Sequence, residues 1–274
     1  MSGWRVKYDG PCSRCGRILV KGTSAVWDRS TNSMSCVECP LPASYDSPPP
    51  SVDMPPIDVG TAGSSARREY ERRAAKRDGD VRDRWGDRVG GWVLKLTVEP
   101  QSTRAWAIGA RGEEKLANAL ASVPGLEMLH DRRVPGTRGN IDHIAIAPAG
   151  VFVLDTKFYD GVIRIRNVGS IFRRDDRLYV GRRDCSKLAR GMGWQVEAVV
   201  TAIAGASVGP PTPVVPVLCF VDGDWPLFGA PDVFEGVRLE SERSVVKLFN
   251  ATSALDAPAI VRLTRILAAT LPSK

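Results

Sequence analysis

Apolar and polar positions divide the chain into two parts of unlike texture. From residue 91 to residue 274 the apolar residues recur at spacings that specify packed elements. Residues 112–123 set Leu116, Ala119, Leu120 and Val123 on one helical face, and Glu113, three residues before Leu116 and seven before Leu120, falls on that inward face. Three strand-like runs follow at 126–130, 141–147 and 151–157, separated by Pro135-Gly136, Gly139-Asn140 and Pro148-Ala149-Gly150. Further strands are predicted at 162–166, 177–180, 214–221 and 237–239, and further helices at 186–206, 242–250 and 258–271. Helices alternating with strands specify an α/β domain. The uncharged stretch 198–221 holds Pro210, Pro211, Pro213 and Pro216, so it reads as a helix end, a turn and a buried strand, not a membrane span.

Before residue 91 the pattern is sparse. Residues 18–20 and 25–27 read as short strands of a small module over 1–40. Seven of the 20 prolines lie between Pro40 and Pro56, followed by Gly60, Gly63, Ser64 and Ser65, which marks 41–65 as a linker. Residues 66–90 form a polar helix, interrupted near Gly79, in which nine basic residues against six acidic ones between 66 and 88 support i,i+4 pairs such as Glu69 with Arg73.

Composition narrows the partners. The 274 residues carry 38 Lys and Arg against 31 Asp and Glu, a net charge of +7 that leans weakly toward an anionic partner. The excess is concentrated between Gly161 and Arg190, where nine basic residues face three acidic ones. There Arg164 and Arg166 alternate with Ile163 and Ile165 on one face of a strand, as phosphate contact requires. With Arg173 and Arg174 they are the predicted nucleic-acid contacts; the plain alternative is a solvated hairpin. No apolar leader follows Met1, so a cytoplasmic location without membrane attachment is expected.

Four of the six cysteines stand as Cys12-Ser13-Arg14-Cys15 and Cys36-Val37-Glu38-Cys39. Two such pairs twenty residues apart have the spacing of a four-thiolate structural zinc site, which leaves no open position for catalysis. Cys185 and Cys219 lack that spacing and read as ordinary thiols. His143 follows Asp142 on a strand and so points to the opposite face, as a packed or surface residue.

Two carboxylates occupy positions that strand physics disfavours. Asp142 shares its face with Ile144 and Ile146, and Asp155 shares its face with Val151, Val153 and Lys157. A carboxylate on an apolar face is costly unless paired or metal-bound. Taken singly, Asp155 with Lys157 is a strand-end ion pair and Asp142 a turn cap. Together with Glu113 they offer hard oxygen ligands for Mg²⁺ or Mn²⁺ and a lysine for the attacking water or the phosphate, the requirements of metal-assisted phosphodiester hydrolysis.

At these residues the chain resembles a known family. Gly109-Ala110-Arg111-Gly112-Glu113-Glu114, Gly139-Asn140-Ile141-Asp142-His143, Gly150 through Asp155-Thr156-Lys157, and Gly161-Val162-Ile163 are similar to the nuclease-related domain (NERD), a branch of the PD-(D/E)xK restriction-endonuclease-like superfamily. The resemblance covers roughly 104–239. It implies a restriction-endonuclease-like mixed sheet flanked by helices, with the small zinc ribbon appended and the α/β domain over 91–274. It also implies Asp142 as the first motif aspartate, Asp155 and Lys157 as the acidic-x-Lys pair, Glu113 as the helix glutamate, and Gln195 as a positioner of water or substrate. Two departures are Asp155 where glutamate is more frequent and the bulky Phe158-Tyr159 after Lys157. The expected function is a Mg²⁺- or Mn²⁺-dependent nuclease on DNA, its zinc ribbon docking nucleic acid or protein and its polar helix a second surface for a protein partner. The alternative is a non-catalytic nucleic-acid-binding or adaptor protein on the same scaffold.

Overall fold

The computed structural model describes residues 4–13, 17–28, 33–37, 55–170, 172–205, 212–251 and 254–274. Two compact units divide it, residues 1–56 and 57–274. In the first, β1 (Trp4–Arg5), β4 (Ser24–Asp28) and β5 (Ser33–Cys36) form one antiparallel sheet, and β2 (Gly10–Pro11) pairs with β3 (Ile18–Leu19) as a hairpin. Its core consists of Val6, Cys12, Leu19 and Ala25, with Met34 and Cys36 packed against them.

The second unit is a three-layer α/β domain. Its sheet runs β13 (Val233–Phe234), β14 (Val237–Glu240), β12 (Val214–Val221), β8 (Gly150–Phe158), β7 (Asn140–Ala147) and β6 (Glu127–Arg133). Strands β6, β7 and β8 are antiparallel neighbours, β8, β12 and β14 run parallel, and β13 returns antiparallel, so the sheet is mixed. Alternation along each strand supplies both faces. Ile144, Ile146, Val151, Val153, Leu218 and Phe220 pack against α4 (Gly193–Ala204) and α6 (Ala257–Thr270) through Val199, Ile203, Ile260, Leu263 and Leu267. Ala145, Phe152, Leu154, Val217 and Cys219 pack against α2 (Gln101–Leu120) and α5 (Val245–Phe249) through Leu116, Leu120, Val245 and Phe249. A smaller antiparallel sheet of β9 (Ile163–Asn167), β10 (Asp176–Val180) and β11 (Arg183–Asp184) follows β8, and α3 (Ser186–Gly191) leads into α4.

Three features differ from the sequence reading. The polar helix α1 is longer, Ser64–Leu96, and breaks at Gly86 (φ 71°, ψ 164°), not near Gly79. Beyond the break the chain folds back, with Gly90 against Arg82 and Arg77 donating to the Thr97 hydroxyl at 2.7 Å. The second unit also begins earlier than the predicted linker ends. His130 donates its backbone N–H to the Val59 carbonyl at 2.7 Å, and Ser64 and Ser65 open α1 against a buried carboxylate. Composition assigns 57–65 to a linker because Gly and Ser serve equally in linkers and at helix starts. Finally, the helix predicted over 186–206 is two helices that meet at Met192.

No helix of the described residues is long and apolar enough to cross a membrane. The i,i+4 pair of Glu69 with Arg73 forms at 2.6 Å, and Arg72 shares the same carboxylate.

Candidate functional site

The antiparallel ladder of β7 and β8 stops at His143 opposite Leu154. One position further out the register would set Asp142 against Asp155, and there the side chains take over from the backbone. The Thr156 backbone N–H donates to Asp142 Oδ2 at 3.2 Å. Asp142 is also hydrogen-bonded to Asp155, and Lys157 donates its ammonium to Asp155 Oδ1 and, at 3.3 Å, to the Thr156 carbonyl. Asp142, Asp155 and Lys157 thus meet at one strand end, on the face that carries Ile144, Ile146, Val151 and Val153.

The electrostatics follow from this crowding. Burial first, then the charges of Asp155 and Glu113, hold the Asp142 carboxyl well above the ordinary carboxylate value. Burial opposes the charge on Lys157, but Asp155 and then Asp142 outweigh it, so the ammonium is held above the usual lysine value. In this arrangement Lys157 is a cation and not a proton acceptor at neutral pH.

Glu113 arrives from α2, which packs on the other face of the sheet. It is buried, and its direct partner is the backbone N–H of Gly63, which donates to Oε2 at 3.0 Å. Burial, then the charge of Asp131, push its carboxyl up to about 7. Glu114 points away and pairs with Arg67. Among the described residues no group of three or more His, Cys, Asp or Glu side chains is assembled as a metal-holding cluster, although the charge of Glu113 acts on Asp142. Gln195 lies buried on α4, the helix over the face of Asp142 and Asp155, and its Oε1 has no hydrogen-bond partner among the described residues. Its Nε2 faces Met192 Sδ at 4.0 Å.

The sequence reading missed Asp131. Its side chain is fully buried and gathers the start of α1, accepting from Ser64 Oγ, from the Ser65 N–H at 2.6 Å, from Ser65 Oγ at 2.7 Å and from Asn140 Nδ2 at 2.7 Å. This network ties α1 to β6 and β7 beside Glu113. The available signal was an aspartate directly after the run 126–130, where φ of 49° suits Asp better than most residues. Thr156 was also passed over; its Oγ1 is buried without a partner among the described residues.

Gly139, at the entry to β7, lies under the Trp194 ring. A β-carbon there would come within 2.6 Å of that ring, which is 40% exposed and precedes Gln195. His143 points away from the site, as expected, and its Nδ1 meets that of His130 at 2.8 Å.

Arg164 and Arg166 are exposed on one face of β9, and Arg173 and Arg174 are exposed at the turn before β10. Arg174 pairs with Asp176 at 2.7 Å. In the first unit Cys12 and Cys36 stand with sulfurs 3.7 Å apart, and the Cys36 N–H points to Cys12 Sγ at 3.3 Å. Cys15 and Cys39 lie outside the described residues. Cys185 and Cys219 are buried thiols.

Residues 108–221 match the family described as nuclease-related domain (NERD). The matched span runs from α2 to the end of β12 and contains Glu113, Asp142, Asp155, Lys157 and Gln195. No curated protein matches the chain, and no solved structure does.

Proposed function

We propose that the protein is a divalent-metal-dependent nuclease that hydrolyses phosphodiester bonds of DNA. The observation that carries this reading is the meeting of Asp142, Asp155 and Lys157 at one strand end, within a span that matches a nuclease-related domain. Two carboxylates crowded until one raises the other are a donor set suited to Mg²⁺ or Mn²⁺, which take one or two protein carboxylates and fill their remaining positions with water and phosphate oxygens. Once bound, such an ion neutralises charge on a phosphate and acidifies a water. Asp142 and Asp155 would hold it, with Glu113 as the third acidic residue of the site.

The chain's own groups supply the rest. Lys157, held as a cation, is suited to donate to the scissile phosphate and stabilise the charge that grows there. Gln195 keeps a buried carbonyl oxygen without a partner among the described residues, which is costly unless a water or substrate group donates to it. Arg164, Arg166, Arg173 and Arg174 would track the phosphates of the strand. In the first unit we assign Cys12, Cys15, Cys36 and Cys39 to a structural Zn²⁺, making this unit a docking module for nucleic acid or protein. The helix α1 offers a second surface for a protein partner, and the cytoplasm is the compartment that suits reduced thiols and a nucleic-acid substrate.

A second reading has an observation in its favour. Lys157 already neutralises Asp155 and Gly63 already engages Glu113, so these two carboxylates have partners within the chain itself, as in a non-catalytic nucleic-acid-binding adaptor. The test is cleavage of single- and double-stranded DNA with Mg²⁺ or Mn²⁺, wild type beside Asp155→Ala and Lys157→Ala. Cleavage that needs the ion and is lost in both variants supports the nuclease. Salt-sensitive binding without cutting supports the adaptor.

A further inference from the structure

The sheet of β9, β10 and β11 has two unlike faces. Ile163, Ile165, Leu178 and Val180 pack into the core. The register pairs Arg164 with Tyr179 and Arg166 with Arg177, and these four lie on the opposite face. There Arg166 sits over the Tyr179 ring at 5.6 Å, while Arg177 is held by Asp175 at 2.9 Å and Asp184 at 3.2 Å. Arg164, Arg166 and Arg173 are exposed and make no ion pair among the described residues.

This sheet is anchored beside the candidate site. Ile163 follows Lys157 by six residues, and its N–H donates at 2.9 Å to the carbonyl of Asp224, which lies just beyond the end of β12. β12 in turn pairs Phe220 with Lys157. From Ile163 to Asn167 the strand rises roughly 13 Å at ~3.3 Å per residue, the length of about four stacked nucleotides. At the far end is a turn in which the Arg173 N–H donates to the Ser170 carbonyl at 3.2 Å.

Phe172 stands in this turn, 96% exposed and next to Arg173 and Arg174. A single exposed apolar residue is ordinary on a protein surface. This ring differs in its setting: it stands in a cationic hairpin whose Ile163, Ile165, Leu178 and Val180 are turned inward. An aromatic ring beside uncommitted guanidinium groups offers what a single strand needs, a stacking surface and phosphate contacts together. A duplex offers the ring a base face only at an end, or at the cost of unstacking a step.

We propose that Phe172 stacks on an unpaired nucleobase while Arg164, Arg166 and Arg173 hold the flanking phosphates, so that the substrate class is single-stranded nucleic acid or the single-stranded arm of a branched duplex. This inference rests on the nucleic-acid reading above. Its test is binding by the full chain carrying Asp155→Ala, which removes cutting from the measurement. Fluorescence anisotropy is read with three labelled probes of equal length: a single-stranded DNA, its blunt duplex, and a single strand of abasic residues.

Phe172→Ala is expected to weaken binding of the single-stranded DNA about tenfold, within the range of one lost base stack, and to change the duplex and abasic affinities less than about twofold. Phe172→Trp retains the single-strand affinity. Arg164→Ala with Arg166→Ala weakens all three probes and flattens the salt dependence. If Phe172→Ala leaves single-strand binding unchanged, or weakens all three probes alike, the stacking role is overturned while the nucleic-acid reading survives. If the parent protein binds none of the probes at low salt, both are overturned.

Discussion

Gly63 donates its backbone N–H to Glu113 at 3.0 Å, joining the start of α1 to the one acidic residue of the candidate site that arrives from α2. Gly63 has φ of 73°, and a β-carbon there would lie 2.8 Å from the Ala110 carbonyl oxygen. The close approach of α1 to α2, and with it the donor for Glu113, therefore depends on the absence of a side chain. Gly63→Ala is expected to cost about 1–3 kcal/mol in urea denaturation, through backbone strain and the displaced contact. Gly79→Ala, in a helical interior where a β-carbon meets nothing within 4 Å, should instead raise stability by about 1 kcal/mol. Equal effects of the two substitutions would refute this account of Gly63.

The contrast shows which parts of the architecture the sequence discloses. Asp142 and Asp155 were legible because a strand has a period of two, and a carboxylate in an apolar row violates it. The inward position of Glu113 was legible from its spacing to Leu116 and Leu120. Asp131 was not, because its partners Ser64 and Ser65 lie 67 and 66 residues away and no local pattern joins them. Nor was the break at Gly86: Gly79 and Gly86 sit in similar polar surroundings, and tertiary contact decides which of them bends. Local periodicity gives elements and faces, whereas a partner brought by the fold leaves no periodic trace.

Arg132 is the largest fully buried side chain among the described residues, and it ends α6. Its guanidinium donates to the carbonyls of Leu271 at 2.6 Å and Ala268 at 2.8 Å, and to that of Asp58 at 2.8 Å. These are carbonyls that a helix end and a crossing segment would otherwise leave unsatisfied. Arg132→Met keeps much of the volume and orphans all three, for an expected loss of about 3–5 kcal/mol. Arg132→Lys, with a compact charge that cannot span the three acceptors, should fall between wild type and Met. Thermal unfolding monitored by circular dichroism checks the order; a Met variant as stable as wild type would contradict it.

The buried pair of His130 and His143 makes stability depend on pH. Burial, and then the charge of His130, pull His143 down to about 3, against about 6.5 in an unfolded chain. Below pH 6.5 the unfolded chain therefore takes up a proton that the folded chain refuses, so stability contributed at neutral pH is lost as the pH falls from about 6.5 toward 3. The limiting slope for one such proton is about 1.4 kcal/mol per pH unit. His143→Gln cannot titrate. Its deficit relative to wild type should shrink as urea denaturation is repeated from pH 7 down to pH 5, and a constant deficit would exclude His143 as the source.

The first unit leads to the last prediction. Among the described residues its buried core is Val6, Cys12, Leu19 and Ala25, a small apolar cluster that a metal staple would reinforce. Cys12 and Cys36 place their sulfurs 3.7 Å apart. Two thiolates on a tetrahedral zinc with Zn–S of about 2.3 Å would be separated by about 3.8 Å, so this spacing is that of one edge of such a site. The purified full chain is expected to carry one zinc per molecule, and Cys12→Ser or Cys36→Ser to lose it. Because the metal's binding energy would be folding energy for this unit, its removal should unfold residues 1–56 and leave the larger unit, with its own core, intact. Limited proteolysis distinguishes the outcomes: chelator-treated protein should be cut between Trp4 and Val37, while zinc-loaded protein resists cutting there, and the larger unit persists in both. Equal resistance with and without chelator, or protein purified free of zinc and yet resistant, would remove the metal from the account of how this unit folds.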